Sequence, residues 1–209
     1  GNEPELAAED RWRKARIDGA RKDFGYCCRT YLPDYIYTEA AEYQRILYDV
    51  ADTRSLTETT IESLKPFVRE KYHPLLKPTS HIAGAMFVEP REHGKTVRWS
   101  FAYPLWRVLS GGSRYVLLIG ATSASASENL INIRTELEEN EEILADFGDQ
   151  KGDRWSDSRI ELATGACIQA KGAGMSMRGT RYRQYRPDLI VLDDILKDDA
   201  VDSSTLRSK

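Results

Sequence analysis

Two segments far apart in this chain carry the side chains best suited to chemistry. Phe87-Val88-Glu89-Pro90-Arg91-Glu92-His93-Gly94-Lys95-Thr96 reads as a strand, a tight loop and the opening of a helix. Asp188-Leu189-Ile190-Val191-Leu192-Asp193-Asp194 reads as a buried strand ending in two carboxylates. A nucleoside triphosphate and its magnesium need loop amides and an ammonium for the phosphates, and a hydroxyl and a carboxylate for the metal. The two segments supply all four, in the order in which ATP-driven enzymes with a phosphate loop present them.

The usual phosphate-loop pattern is Gly, four residues, Gly, Lys, then Ser or Thr. Gly94, Lys95 and Thr96 fit it, while Glu89 stands where the first Gly would be. Loop amides and the positive end of the following helix favour an anion there. Lys95 would meet the β and γ phosphate oxygens, and Thr96 would ligate magnesium through its hydroxyl. Arg91 is placed to reach the γ-phosphate as an arginine finger from the same chain. His93 is read as shaping the loop rather than as a base. The set expected around the phosphates is therefore Pro90, Arg91, Glu92, His93, Gly94, Lys95 and Thr96. Asp193, at a strand's carboxyl end, would hold magnesium, and Asp194 would polarise the attacking water. The plainer reading of the two aspartates is a turn after the strand. Asp198 and Asp199 read as a solvated turn.

A third group is basic. Arg178, Arg181, Arg183 and Arg186 interleave with Tyr182 and Tyr185. Such a cluster can grip a phosphate backbone without reading sequence, reach a neighbouring subunit's ATP site as a finger, or simply form a solvated loop. Thr122 and Ser123 follow an apolar strand; they suit either nucleic-acid contact or the cap of the next helix.

These groups need a scaffold, and the apolar pattern predicts one. Helices are expected over 4–26, 39–50, 57–72 (split by Pro66), 94–109 (kinked by Pro104) and 125–144. Ala7, Ala8, Trp12, Ala15, Ile17 and Phe24 are the expected inward positions of the first. Tyr26 to Tyr37, broken by Pro33, reads as a loop. Strands are expected over 82–88, 115–119 and 189–192, with a hairpin of 159–162 and 167–170 around Thr164-Gly165. Strands alternating with helices predict an α/β fold with a mainly parallel sheet flanked by helices. An N-terminal helical segment, 1–75, precedes a core of 76–209.

Composition narrows the function classes. The chain has 209 residues, 41% hydrophobic and 30% charged, with net charge −3, so nucleic-acid contact must come from local basic patches. No apolar run reaches the length of a membrane span, so no membrane partner is expected. Cys27, Cys28 and Cys167 have no metal-ligand spacing and read as buried free thiols in a reducing compartment.

Together these segments resemble the ATPase half of phage and prophage terminase large subunits, the motors that package viral DNA. Pro90-Arg91-Glu92-His93-Gly94-Lys95-Thr96 is similar to that family's Pro-Arg-Gly-His-Gly-Lys-Ser/Thr loop, with Glu92 in place of a Gly. Tyr103-Pro104-Leu105-Trp106 is similar to the end of the helix after that loop. Gly172-Ala173-Gly174, Arg178-Gly179 and Arg186 to Asp194 resemble the family's run into the acidic strand. The resemblance covers roughly residues 24 to 209. It implies a P-loop NTPase core of the ASCE type that binds ATP and Mg2+. It also implies a homo-oligomeric ring at the portal protein, a terminase small subunit as partner, double-stranded DNA as cargo, and the cytoplasm of a bacterial host. It implies a nuclease domain beyond this chain, so the chain is expected to be a fragment. By the same resemblance adenine is held upstream of the loop, where Tyr43 and Gln44 are the candidates; a plain helix face is the equal alternative for both. A helicase-like translocase and a catalytically silent nucleotide- or DNA-binding module are the alternatives.

Overall fold

The computed structural model describes residues 3–36, 38–87, 89 and 93–195. Within them the chain forms two compact units, Gly1–His93 and Gly94–Lys209.

The first unit is helical: α1 (Glu3–Lys22), α2 (Phe24–Tyr31), α3 (Glu42–Thr53) and α4 (Glu58–Leu64), followed by 3-10 turns at Lys65–Phe67 and Glu70–Leu75. Its core joins Phe24, Cys27, Cys28, Tyr31, Tyr48, Val50, Ile61 and Leu64. The Phe24 and Tyr48 rings meet edge to face at 5.0 Å. Two expectations fail here. Trp12 is 77% exposed and Ala15 is exposed as well, rather than inward, because α1 packs through its end against α2. The stretch from Tyr26, read as a loop, is largely helix. Two carboxylates stabilise that helix: Asp23 accepts from the Tyr26 amide at 2.7 Å, and Asp52 of α3 accepts from the Phe24 amide at 3.2 Å. Negative charge at a helix N-terminus satisfies orphan amides and meets the positive end of the dipole.

Nor does a strand form before the loop. Residues 82–87 are irregular, and Met86 is 87% exposed. The backbone bonds here belong to a short antiparallel bridge between Leu56 and Thr79, followed by the Ile82 amide on the Arg54 carbonyl at 2.7 Å.

The second unit is α/β. Its strands are β1 (Tyr115–Gly120), β2 (Lys151–Ser156), β3 (Arg159–Leu162), β4 (Cys167–Gly172) and β5 (Leu189–Asp193). They form one sheet in the order β2-β3-β4-β1-β5. The sheet is mixed, which corrects the expected mainly parallel one. β1 pairs parallel with β4 and β5, whereas β3 pairs antiparallel with β2 and β4. Short turns link β2, β3 and β4, and only antiparallel strands can be joined that way. The hairpin around Gly165, whose φ is +82°, is as expected; β2 is an addition with no apolar signal of its own.

The expected long helix divides at Asn140 into α6 (Ser123–Glu139) and α7 (Glu141–Phe147). The Asn140 amide closes α6 on the Glu136 carbonyl, and its side chain caps α7 by accepting from the Ile143 amide at 3.0 Å. α6 buries Ala126, Leu130, Ile133 and Leu137 and packs on β1 and β4. Its first turn presses on the strand ends so closely that a Cβ on Gly120 would lie 2.9 Å from the Ala126 amide nitrogen. The helix after Gly94-Lys95 is π-helical over Thr96–Ala102 and becomes α5 (Tyr103–Leu109). Pro104 explains the change of winding: it has no N–H to donate and its ring clashes with a tight preceding turn, which the wider π turn relieves.

Candidate functional site

Connectivity packs the helix that follows Lys95 against the strand that ends in Asp193. The turn 110–114 is short, and Arg107 pins it by donating to the Ser113 hydroxyl at 3.2 Å and to the Gly112 carbonyl. The helix therefore hands over directly to the start of β1. Its own first residues, Lys95 and Thr96, lie toward the other end, where the parallel strands present their carboxyl termini. The π-helical stretch packs against both β5 and α6. In the parallel register Gly120 sits beside Gly172 on one side and Asp193 on the other. The helical stretch that begins at Thr96 and the strand that ends in Asp193 are thus packed neighbours.

Lys95 is half-buried and Thr96 exposed. Gly94 has φ +67°, a left-handed conformation suited to glycine, and its carbonyl accepts from the Arg98 amide at 3.0 Å. The buried Arg98 guanidinium lies beside it: a Cβ on Gly94 would be 3.3 Å from Arg98 Nη1. The start of this helix is accordingly rich in positive charge. Asp193 is half-buried, and Asn129 of α6 donates to its Oδ2 at 3.4 Å. Asp194 is exposed with φ +48°, a strained value for a residue with a side chain. It terminates the strand and turns the chain.

Among the described residues no three His, Cys, Asp or Glu side chains converge as a metal cage. Magnesium does not require one. It is held through one or two protein oxygens together with substrate phosphates, and a threonine hydroxyl with an aspartate carboxylate is a fitting hard-oxygen pair. Pro90, Arg91 and Glu92 lie outside the described residues, as do Asp198 and Asp199.

In the first unit, Tyr43, Gln44, Glu89 and His93 form a hydrogen-bonded group. Gln44 Nε2 donates to the Tyr43 hydroxyl at 3.1 Å, while Gln44 Oε1 accepts from the Ala41 amide at 3.0 Å. The Tyr43 oxygen lies 2.8 Å from His93 Nδ1 and 3.3 Å from Glu89 Oε2. A hydroxyl has a single proton. When Tyr43 gives it to Glu89, His93 must donate through Nδ1. Glu89 is only 7% exposed. Glu89, at the place of the pattern's first glycine, is thus tied to α3 rather than free in a loop. The adenine candidates Tyr43 and Gln44 spend polar groups on this tie. Sequence spacing offered no signal for it, nor for Asn129, because both arise from residues far apart in the chain.

Thr122 caps α6, accepting from the Ser125 amide at 3.1 Å, while the Ser125 hydroxyl accepts from the Thr122 amide. Of its two readings, the cap is the one seen. The three cysteines are buried and free. Burial pushes the Cys27 thiol up to about 12, aided by Asp23 and Asp52, and the Cys167 thiol up to about 11, opposed by Arg159. Neither is a nucleophile at neutral pH.

The arginine-rich segment forms a small hairpin. Tyr182 and Tyr185 exchange backbone hydrogen bonds at 2.9 and 2.8 Å, with Arg183 and Gln184 at the tip. Tyr182 is buried against Tyr115 and Cys167, with Tyr185 packed on it. Arg178, Arg181, Arg183 and Arg186 are exposed. No helix among the described residues is long and apolar enough to cross a membrane. Compared with protein-family models, curated proteins and solved structures, the chain matches none.

Proposed function

We propose that this chain is a magnesium-dependent ATPase with a P-loop core, and that it serves as the motor domain of a terminase-like machine moving double-stranded DNA. One observation supports the ATPase reading: the helical stretch that begins at Thr96, directly after Lys95, packs against β5, the strand that ends in Asp193. In parallel sheets ligands collect beyond the carboxyl ends of the strands. Lys95 would place its ammonium on the β and γ phosphate oxygens. Thr96 and Asp193 would hold magnesium, which supplies positive charge to the phosphates when bound. Asn129, hydrogen-bonded to Asp193, fixes the direction of that carboxylate. Asp194, exposed at the strand end, is the group that would orient the attacking water. The motor reading and its partners (portal protein, small subunit, a ring of like chains) rest on the sequence resemblance.

Calorimetry with ATP and magnesium tests the site. Lys95→Ala should abolish detectable nucleotide binding while the melting temperature stays near that of the parent. Unchanged affinity would overturn the proposal.

A further inference from the structure

We infer that the Tyr182–Tyr185 hairpin is a docking element for the phosphate backbone of double-stranded DNA, with its arginines as the contacts and its tyrosines as the root. The choice of DNA as the duplex rests on the proposed function; the phosphate chemistry does not.

The first ground is charge. From Gly172 to Pro187 the chain has four arginines and no acidic residue, in a molecule whose net charge is −3. The Tyr182–Tyr185 bridge sets Arg181 opposite Arg186, and both are exposed while Tyr182 points inward. Like charges directly across a strand pair repel, and an anion between them removes the repulsion. Two further guanidinium groups, of Arg159 and Arg183, lie over the Tyr182 ring, each 5.2 Å from its centre. Arg159 is partly neutralised by Glu161 at 2.9 Å. Asp188, the nearest following carboxylate in sequence, accepts from the Arg114 and Tyr115 amides at 2.7 and 3.3 Å.

The second ground is the root. Tyr182 is 2% exposed, and its ring meets Tyr115 at 6.2 Å. A ring held this way cannot leave the core to stack on an unpaired base, which is how single strands are gripped. The preceding loop is braced as well: Lys171 Nζ donates to the Ser176 carbonyl at 3.1 Å and to the Thr180 hydroxyl at 2.8 Å. The hairpin therefore offers guanidinium groups on a fixed base, which suits regularly spaced phosphates rather than splayed bases.

The test is the salt dependence of binding to a labelled duplex of mixed sequence, read by fluorescence anisotropy without nucleotide. Arg181→Ala with Arg186→Ala should make the log–log slope shallower by roughly one to two units, since each phosphate contact contributes about 0.9. Arg183→Gly guards against misfolding, because glycine takes the φ of +50° found at Arg183 without strain. It should flatten the slope by about one unit. A folded Arg183→Gly protein and a folded double variant with the parent slope would overturn the inference. So would equal or tighter binding of the single strand of the same length. So would an unchanged slope with ATP turnover lost only in oligomers, which would assign the arginines to a neighbour's nucleotide site. Lys95→Ala should leave the slope intact; nucleotide binding that survives Lys95→Ala sinks the ATPase reading without touching this comparison.

Discussion

The sheet has two edges, and they are built differently. At one, β2 is polar and tied down. Glu138 of α6 accepts from Trp155 Nε1 at 2.7 Å and pairs with Lys151 at 3.5 Å. Gly152 lets β2 approach β3 so closely that a Cβ would sit 2.3 Å from the Glu161 carbonyl oxygen. At the other edge, β5 leaves Ile190 53% and Leu192 59% exposed and ends in Asp193 and Asp194. Charged side chains on an edge discourage pairing with other chains, whereas exposed apolar ones invite contact. The β2 edge is therefore finished, and the β5 edge carries the candidate site's carboxylates beside apolar surface. The parallel register brings the carboxyl ends of β1, β4 and β5 together on that side, which is where an α/β sheet would hold a ligand.

The contrast can be broken in several ways. The largest expected effect is at the strand end. Asn129→Ala removes only the group that orients Asp193, and should weaken magnesium-dependent ATP binding by about 10–100-fold. Asp193→Ala should cost more, because it removes the metal ligand itself. Calorimetry with and without magnesium checks both. If the magnesium-free affinity falls equally, the carboxylate is structural and the β5 edge loses its distinction.

Next comes the finished edge. Gly152→Ala forces apart two backbones and should destabilise the chain by about 1–3 kcal/mol, read by denaturant unfolding. ATP affinity of the folded variant should be unchanged. A loss of affinity without loss of stability would show that the two edges are not separate in role.

The centre of the sheet gives a pH prediction. Cys167 on β4 stays protonated in the folded chain up to about 11, against an ordinary 9.0. The unfolded chain therefore releases this proton first as pH rises. The contribution is fully present below pH 9 and is lost between about 9 and 11, at about 1.4 kcal/mol per pH unit. Cys27 acts in the same direction up to about 12. Cys167→Ala should flatten the alkaline fall in stability measured by urea unfolding above pH 9; an unchanged profile would show that other groups govern it.

The smallest effect is at the open face of β5. Leu192→Lys should change stability by no more than about 0.5 kcal/mol, since the side chain is already exposed. It should lower light scattering at high protein concentration. Cooperative unfolding at a markedly lower temperature would mean that this face is covered in the folded protein.

Much of this organisation was legible without coordinates. The apolar run at 115–119 becomes β1, buried along its whole length within the sheet; the run at 189–192 becomes β5, but at the sheet's edge with Ile190 and Leu192 exposed, which corrects the buried strand expected there. The turn at Gly165 sets the β3–β4 hairpin because a tight turn needs a residue at ease with positive φ. The 3.6-residue period of α6 survives, as does the start of the helix at Lys95. Buried free cysteines follow from their lack of ligand spacing.

What tertiary structure decided depends on distant residues. α2 has a local cap in Asp23, but the second carboxylate at its N-terminus, Asp52, comes from α3, and no local pattern announces that partner. β2 is polar and becomes a strand by pairing with β3, so alternation could not reveal it. The segment 82–87 has a strand's composition, yet its first amide, of Ile82, bonds the Arg54 carbonyl and the stretch pairs with no strand. Tyr43 and Gln44 look like free polar groups on a helix until Glu89 and His93 arrive beside them. Asn129 becomes part of the candidate site only because α6, packed on β1 and β4, brings its amide to the Asp193 carboxylate. The residue types for phosphate, metal and backbone contact are written locally, in short motifs. Their orientation and their partners follow from close packing and from the need to satisfy buried polar groups, and both bring together residues that the chain keeps far apart.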